Sequence, residues 1–103
     1  GNSGGEGIFI NSIVASGTVI AGGSVQGSVL FHNVRVFDEA QVQDSILFAG
    51  VQVGRACHLR KCIVDKHVSI PPHSKIGFDR KVDSKRFTVT DNGIVVIPKG
   101  YQF

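Results

Sequence analysis

SVLFHNVRVFDEAQVQD (28–44), SILFAGVQVGRACHLRK (45–61) and CIVDKHVSIPPHSKIGF (62–78) are three consecutive rows of one repeat. A shorter row, SIVASGTVIAGGSVQG (12–27), precedes them. Stacked, the rows align aliphatic residues in three columns. Val19, Val36, Val53 and Ile70 form the first, and Val25, Val42, Leu59 and Ile76 the second. Val14, Leu30, Leu47 and Val64 form the third. Spacings of six, five and six make each row nearly three hexapeptides, so each coil holds three short strands with one aliphatic side chain pointing inward from each. Such a period is the mark of a parallel β-helix.

The residues two places before each column residue agree with this reading. Side chains on a strand alternate faces, so these positions also point inward. They hold Ser28, Ser45 and Cys62 in the third column, and Ala40, Cys57 and Ser74 in the second. Small groups suit the corners of a triangular prism. Val34, Val51 and Val68 mark a wider corner in the first column. Pro71 and Pro72 follow Ile70 at a turn, where a missing N–H is tolerated. The fold class expected is therefore all-β: a hexapeptide-type parallel β-helix of about four coils, with rungs about 4.8 Å apart.

The chain divides into three parts. Residues 1–11, with Gly1, Gly4, Gly5 and Gly7, read as a linker or expression remnant; 12–78 are the coils; 79–103 are a capping tail. In the tail RFTVT and GIVVIP flank Asp91, Asn92 and Gly93, a turn tolerant of positive φ, so a hairpin-like pair of strands is expected.

Outward positions are polar before the first two columns. Before the third they are Ile13, Val29, Ile46 and Ile63. An aliphatic stripe on the outer face marks an interface, and either a protein partner or the C-terminal tail would cover it. Charge is uneven too. The net charge is +3, and up to Gly54 the only basic residue is Arg35. The basic second half reads as an anion site or a solvated face. Its cations are not interleaved with aromatic stacking platforms, so no nucleic acid is expected. No apolar run is long enough to span a bilayer, so no membrane is expected either. Cys57 and Cys62 sit at small inward positions in different columns and read as reduced, buried thiols. His58 points away from Cys57, so no metal site is expected. Reduced thiols favour a cytoplasmic home.

Further residues carry a resemblance. VGRACHLRKCIVDKHVSIPPHSKIG followed by RFTVTDNGIVVIPKG, with SVLFHNVRV upstream, resembles the C-terminal domain of bacterial glucose-1-phosphate adenylyltransferases. The resemblance implies a left-handed helix. It implies a parent enzyme that transfers the adenylyl group of ATP to glucose 1-phosphate, making ADP-glucose and pyrophosphate for glycogen synthesis. Magnesium and ATP belong to an N-terminal catalytic domain whose phosphate loop and metal carboxylates this chain lacks, so no catalytic residue and no cofactor are assigned here. The implied partners are that catalytic domain, further subunits of a homotetramer and a phosphorylated effector. Basic residues after the CIVD segment and at the end of the GIVVI strand would contact that effector; here they are Lys66 and Lys99. The rival readings are a hexapeptide acyltransferase using one of His32, His58, His67 and His73 as general base, and a purely structural assembly module.

Overall fold

The computed structural model of the chain describes residues 7–103. In chain order the strands are β1 (Ile8–Ile10), β2 (Ile13–Val14), β3 (Val19–Ile20), β4 (Ser24–Gln26), β5 (Val29–Leu30), β6 (Arg35–Val36) and β7 (Gln41–Gln43). They continue with β8 (Ile46–Leu47), β9 (Gln52–Val53), β10 (His58–Arg60), β11 (Cys62–Val64), β12 (Ser69–Ile70) and β13 (Lys75–Ile76). A short helix, α1 (Arg80–Ser84), and two strands, β14 (Thr88–Val89) and β15 (Val95–Ile97), complete the chain.

The strands stack into three sheets, one per side of the prism. One is ordered β1-β4-β7-β10-β13, the second β14-β15-β11-β8-β5-β2 and the third β12-β9-β6-β3. Pairing between coils is parallel and places Leu30 on Leu47 and Val36 on Val53. The β-solenoid of about four turns follows from the repeat. The interior is aliphatic: Val36, Val42, Leu47, Val53, Leu59, Val64 and Ile70 are all at most 2 % exposed. Val34, Val51 and Val68 are fully buried in the wide corner.

The small inward residues do more than save space. The Ser28 hydroxyl donates to the Gln26 carbonyl and accepts the Ser45 N–H at 3.0 Å. Ser45 repeats the motif, donating to Gln43 O and accepting the Cys62 N–H at 3.1 Å. Each hydroxyl thus satisfies a buried amide of the next coil that would otherwise be unpaired.

Every corner also holds a residue with left-handed backbone. The sets are Gly17, Asn33, Gly50 and His67 at one corner; Gly22, Glu39, Ala56 and His73 at the second; Asn11, Gly27, Asp44 and Lys61 at the third. Glycine adopts this conformation without cost, whereas an L side chain costs about 1–2 kcal/mol. Coil closure compels it in both kinds of residue.

Three details differ from the sequence reading. Ile8–Ile10 is a strand paired with Ser24–Gln26, so ordered stacking begins before residue 12; residues 1–6 of the expected linker lie outside the described residues. Val19 pairs with Arg35 and Ile20 with Val36, so Ile20, not Val19, carries the first column in the first coil. The missing residue falls in the next turn, where Ala21, Gly22 and Gly23 do the work of the four residues 37–40, with Gly22 at φ 82°. Val19 accordingly faces outward and is 52 % exposed. Finally, the tail contains α1, whose N-cap Asp79 accepts the Lys81 and Val82 N–H groups.

The hairpin of β14 and β15 forms as expected. β15 then joins β11 in parallel, Val95 on Cys62 and Ile97 on Val64. It behaves as a further rung of the second sheet, with Val95 and Ile97 buried in line with the third column. The end is closed by Phe87, Tyr101 and Phe103, whose ring centroids lie 5.0–5.8 Å apart, with the Arg86 guanidinium over Phe87 at 4.8 Å. Among the described residues nothing covers the opposite end: Phe9, paired with Val25 of the next rung, is 57 % exposed.

Candidate functional site

Lys66 and Lys99 lie at one corner, on successive rungs. The hydrogen bonds of that corner repeat down the helix: Asn33 N–H to Ser16 O, Gly50 N–H to His32 O, His67 N–H to Ala49 O, and Gly100 N–H to Lys66 O at 3.2 Å. Because Ile97 lies on Val64, the residue two places on, Lys99, takes the place above Lys66. The register of β15 thus brings these two lysines onto one edge of the helix. The Asp65 carboxylate accepts the Lys66 N–H at 2.7 Å and fixes the turn. Both lysines are exposed. Among the described residues the one side-chain ion pair is Arg55–Glu39, at 3.1 Å. Two ammonium groups on rungs about 4.8 Å apart, paired by no carboxylate among the described residues, form a locus of positive potential.

Beside this corner runs a groove of about 940 Å³ between the outer face of the third sheet and the segment Gly100–Phe103. Gln52, Ser69, Arg55, His67, Tyr101 and Phe103 are among its walls. Neither lysine lines it. His67 and Gly100, each the next residue after a lysine, do. A phosphate held at the corner would therefore have a partly aromatic cleft next to it.

The apolar stripe is present as read. Ile13, Val29, Ile46 and Ile63 occupy adjacent rungs of the second sheet. Ile13 is 69 % exposed and the other three are half-buried. The tail borders the stripe, with Asn92 and Ile94 lining a small recess beside Ile46 and Ile63. β15 extends the stripe, placing Val96 next to Ile63. A parallel column lies beside it: Phe31 and Phe48 stack with centroids 4.8 Å apart. The sequence reading missed that widening. Its signal was available, since both Phe follow a third-column leucine at the same repeat position. Two adjacent apolar columns on one sheet face make a surface suited to protein contact.

The histidines are dispersed. His32 Nδ1 lies 3.1 Å from the Ser16 hydroxyl. His58 is 6.5 Å from the Phe78 ring, and His67 and His73 occupy left-handed corners. Ser16 and His32 are exposed, and no third group orients them among the described residues.

Cys57 and Cys62 are free and buried. Burial raises both thiols, pushing Cys62 from 9.0 up to about 12. The native state therefore keeps the Cys62 proton where an unfolded chain has lost it. Stability from this group is complete below pH 9 and is lost as pH rises toward 12, at up to about 1.4 kcal/mol per pH unit. Cys62→Ser continues the hydroxyl ladder and removes this ionisation. Urea midpoints at about pH 8 and about pH 10.5 should fall further for the native sequence than for the variant; equal falls would contradict the burial argument.

The fold and the corner define a hexapeptide-repeat β-helix domain presenting a paired-lysine edge and a broad apolar face. The chain belongs to the GlmU-like, C-terminal hexapeptide family, whose pattern matches residues 1–97. It is 54 % identical over 101 residues to glucose-1-phosphate adenylyltransferase 2 of Vibrio cholerae serotype O1, which covers 98 % of this chain and 25 % of the relative. It is 52 % identical over 103 residues to glucose-1-phosphate adenylyltransferase of Deinococcus radiodurans, covering 99 % and 25 %. The Anaeromyxobacter enzyme of the same name is 48 % identical over 93 residues, covering 90 % and 23 %. The chain thus spans about a quarter of the length of these relatives. No helix among the described residues is long and apolar enough to cross a membrane.

Proposed function

We propose that this chain is the effector-binding and assembly domain of a cytoplasmic glucose-1-phosphate adenylyltransferase, the enzyme that makes ADP-glucose and pyrophosphate from ATP and glucose 1-phosphate. The observation that carries the reading is the stacking of Lys66 and Lys99 on neighbouring rungs of one corner. An ammonium group is a compact point charge for phosphate. Exposed pairs of this kind contribute at most ~1 kcal/mol each, so two lysines hold a sugar phosphate weakly. The remaining cations of the site come from a catalytic domain in the same polypeptide, which also carries the magnesium and ATP chemistry. The face of Ile13, Val29, Ile46 and Ile63 packs against that domain or another subunit of the tetramer. Two buried thiols without a disulfide accord with a reducing compartment.

The test is a kinetic titration of the full-length enzyme with phosphorylated effectors. Lys66→Ala and Lys99→Ala should each weaken half-maximal activation about five- to tenfold, consistent with the loss of about 1 kcal/mol, and leave unactivated turnover within about twofold. Unchanged activation in both variants would sink the assignment. An equal fall in unactivated turnover would point to a folding or catalytic role.

A further inference from the structure

A second cationic recess lies at a different corner, where the coils hand over to the tail. Arg60, Lys61 and Arg80 line a cavity of about 210 Å³ whose other walls include Gly77, Asp83 and Gly93. Arg60 is held in place: its Nε donates to the Gly77 carbonyl at 3.3 Å, and its guanidinium carbon sits 4.6 Å from the Phe78 ring centroid. Arg80 donates to the Thr90 carbonyl through one terminal nitrogen. Lys75 approaches the same Phe78 ring at 5.1 Å, adding positive charge nearby. None of these four cations has a carboxylate within 4.0 Å among the described residues, where the single ion pair is elsewhere. Each arginine keeps N–H groups free, and a guanidinium fork matches phosphate oxygens.

Asp83 makes the recess selective. Asp83 is 2 % exposed, and one carboxylate oxygen accepts the Gly77 N–H at 2.9 Å. A buried carboxylate facing an anion is unfavourable, but the same group is a strong acceptor for a hydroxyl. The recess therefore fits a ligand with a phosphate at one end and hydroxyl groups at the other. Its volume, about 210 Å³, is below the ~300–1,000 Å³ of pockets for drug-sized molecules and suits a small ligand.

We propose that Arg60, Lys61 and Arg80 form a site for a small phosphorylated polyol or monosaccharide, with Asp83 accepting from a hydroxyl. The site is separate from the Lys66–Lys99 corner and does not rest on the function proposed above. Its test is a titration of the chain with glucose 6-phosphate, followed by the amide resonances of Gly77 and Gly93. Both should shift saturably. In Arg60→Gln/Arg80→Gln the affinity should fall about tenfold or more, and in Lys61→Ala, which removes no hydrogen bond of the fold, about threefold. Inorganic phosphate should bind the native chain at least about threefold more weakly than glucose 6-phosphate, and Lys66→Ala/Lys99→Ala should leave these shifts unchanged. Thermal melts report whether each variant is folded. Retained affinity in both the Arg60/Arg80 and Lys61 variants, shifts confined to the Lys66–Lys99 corner, or equal binding of inorganic phosphate would overturn the proposal.

Discussion

Leu47→Ala should destabilise the chain by about 2–5 kcal/mol, a large part of the ~5–15 kcal/mol available to a small domain. Leu47 is fully buried, with Leu30 on the rung before it and Val64 on the rung after. Parallel backbone hydrogen bonds fix the spacing of those rungs, so the cavity left by the lost side chain cannot close by collapse. The transfer and cavity costs therefore add. Leu59→Ala, equally buried between Val42 and Ile76, should behave alike. Val14 heads the same column on its first rung and is only half-buried, so Val14→Ala should cost less. Urea unfolding of the three variants checks the gradient. A loss below about 1 kcal/mol in Leu47→Ala would contradict interior packing at this rung.

Gly77→Ala should cost about 3–5 kcal/mol, although the residue is not in the core. Gly77 has φ +98°, and a Cβ there would lie 1.8 Å from the Arg60 carbonyl oxygen. That neighbour is backbone, held by the coil, and cannot swing aside. The left-handed strain and the overlap both act. Gly77 also anchors the exit from the coils, donating its N–H to Asp83 and accepting from Arg60. Gly100 supplies the control: its φ is +68°, and a Cβ would meet nothing within 4 Å. Gly100→Ala should therefore cost only about 1–2 kcal/mol. Equal melting temperatures for the two variants would contradict the close approach at Gly77.

The sequence by itself determined the solenoid, its inward columns and the outer apolar stripe. The reason is that these features repeat locally. A period near six with alternation of two fixes which side chains face inward, and each row repeats the instruction. The same logic makes Ser28, Ser45 and Cys62 equivalent before any coordinates are seen. It reaches its limit in the first coil. Val19 and Ile20 are both β-branched and either could fill the column, so the choice falls to backbone pairing with Arg35 and Val36, and to a turn that Gly22 and Gly23 can tighten. The left-handed backbones of Ala56, Lys61 and His67 were equally illegible, because local preference opposes them and only coil closure imposes them.

The tertiary structure alone decided the placement of the tail. The GIVVI segment reads as a strand in isolation, but its partner is chosen by whichever edge offers unpaired N–H and C=O groups after the last coil. That edge is β11, and the parallel register puts Ile97 on Val64. From this one non-local choice Lys99 falls above Lys66, and Val96 extends the apolar stripe. The turn back to β11 also brings α1 against the coils, which buries Asp83 beneath Gly77 and gathers Arg80 with Arg60 and Lys61, residues 19 or more apart in sequence. No local pattern encodes such convergence, because it depends on contacts formed only when the last rung has closed.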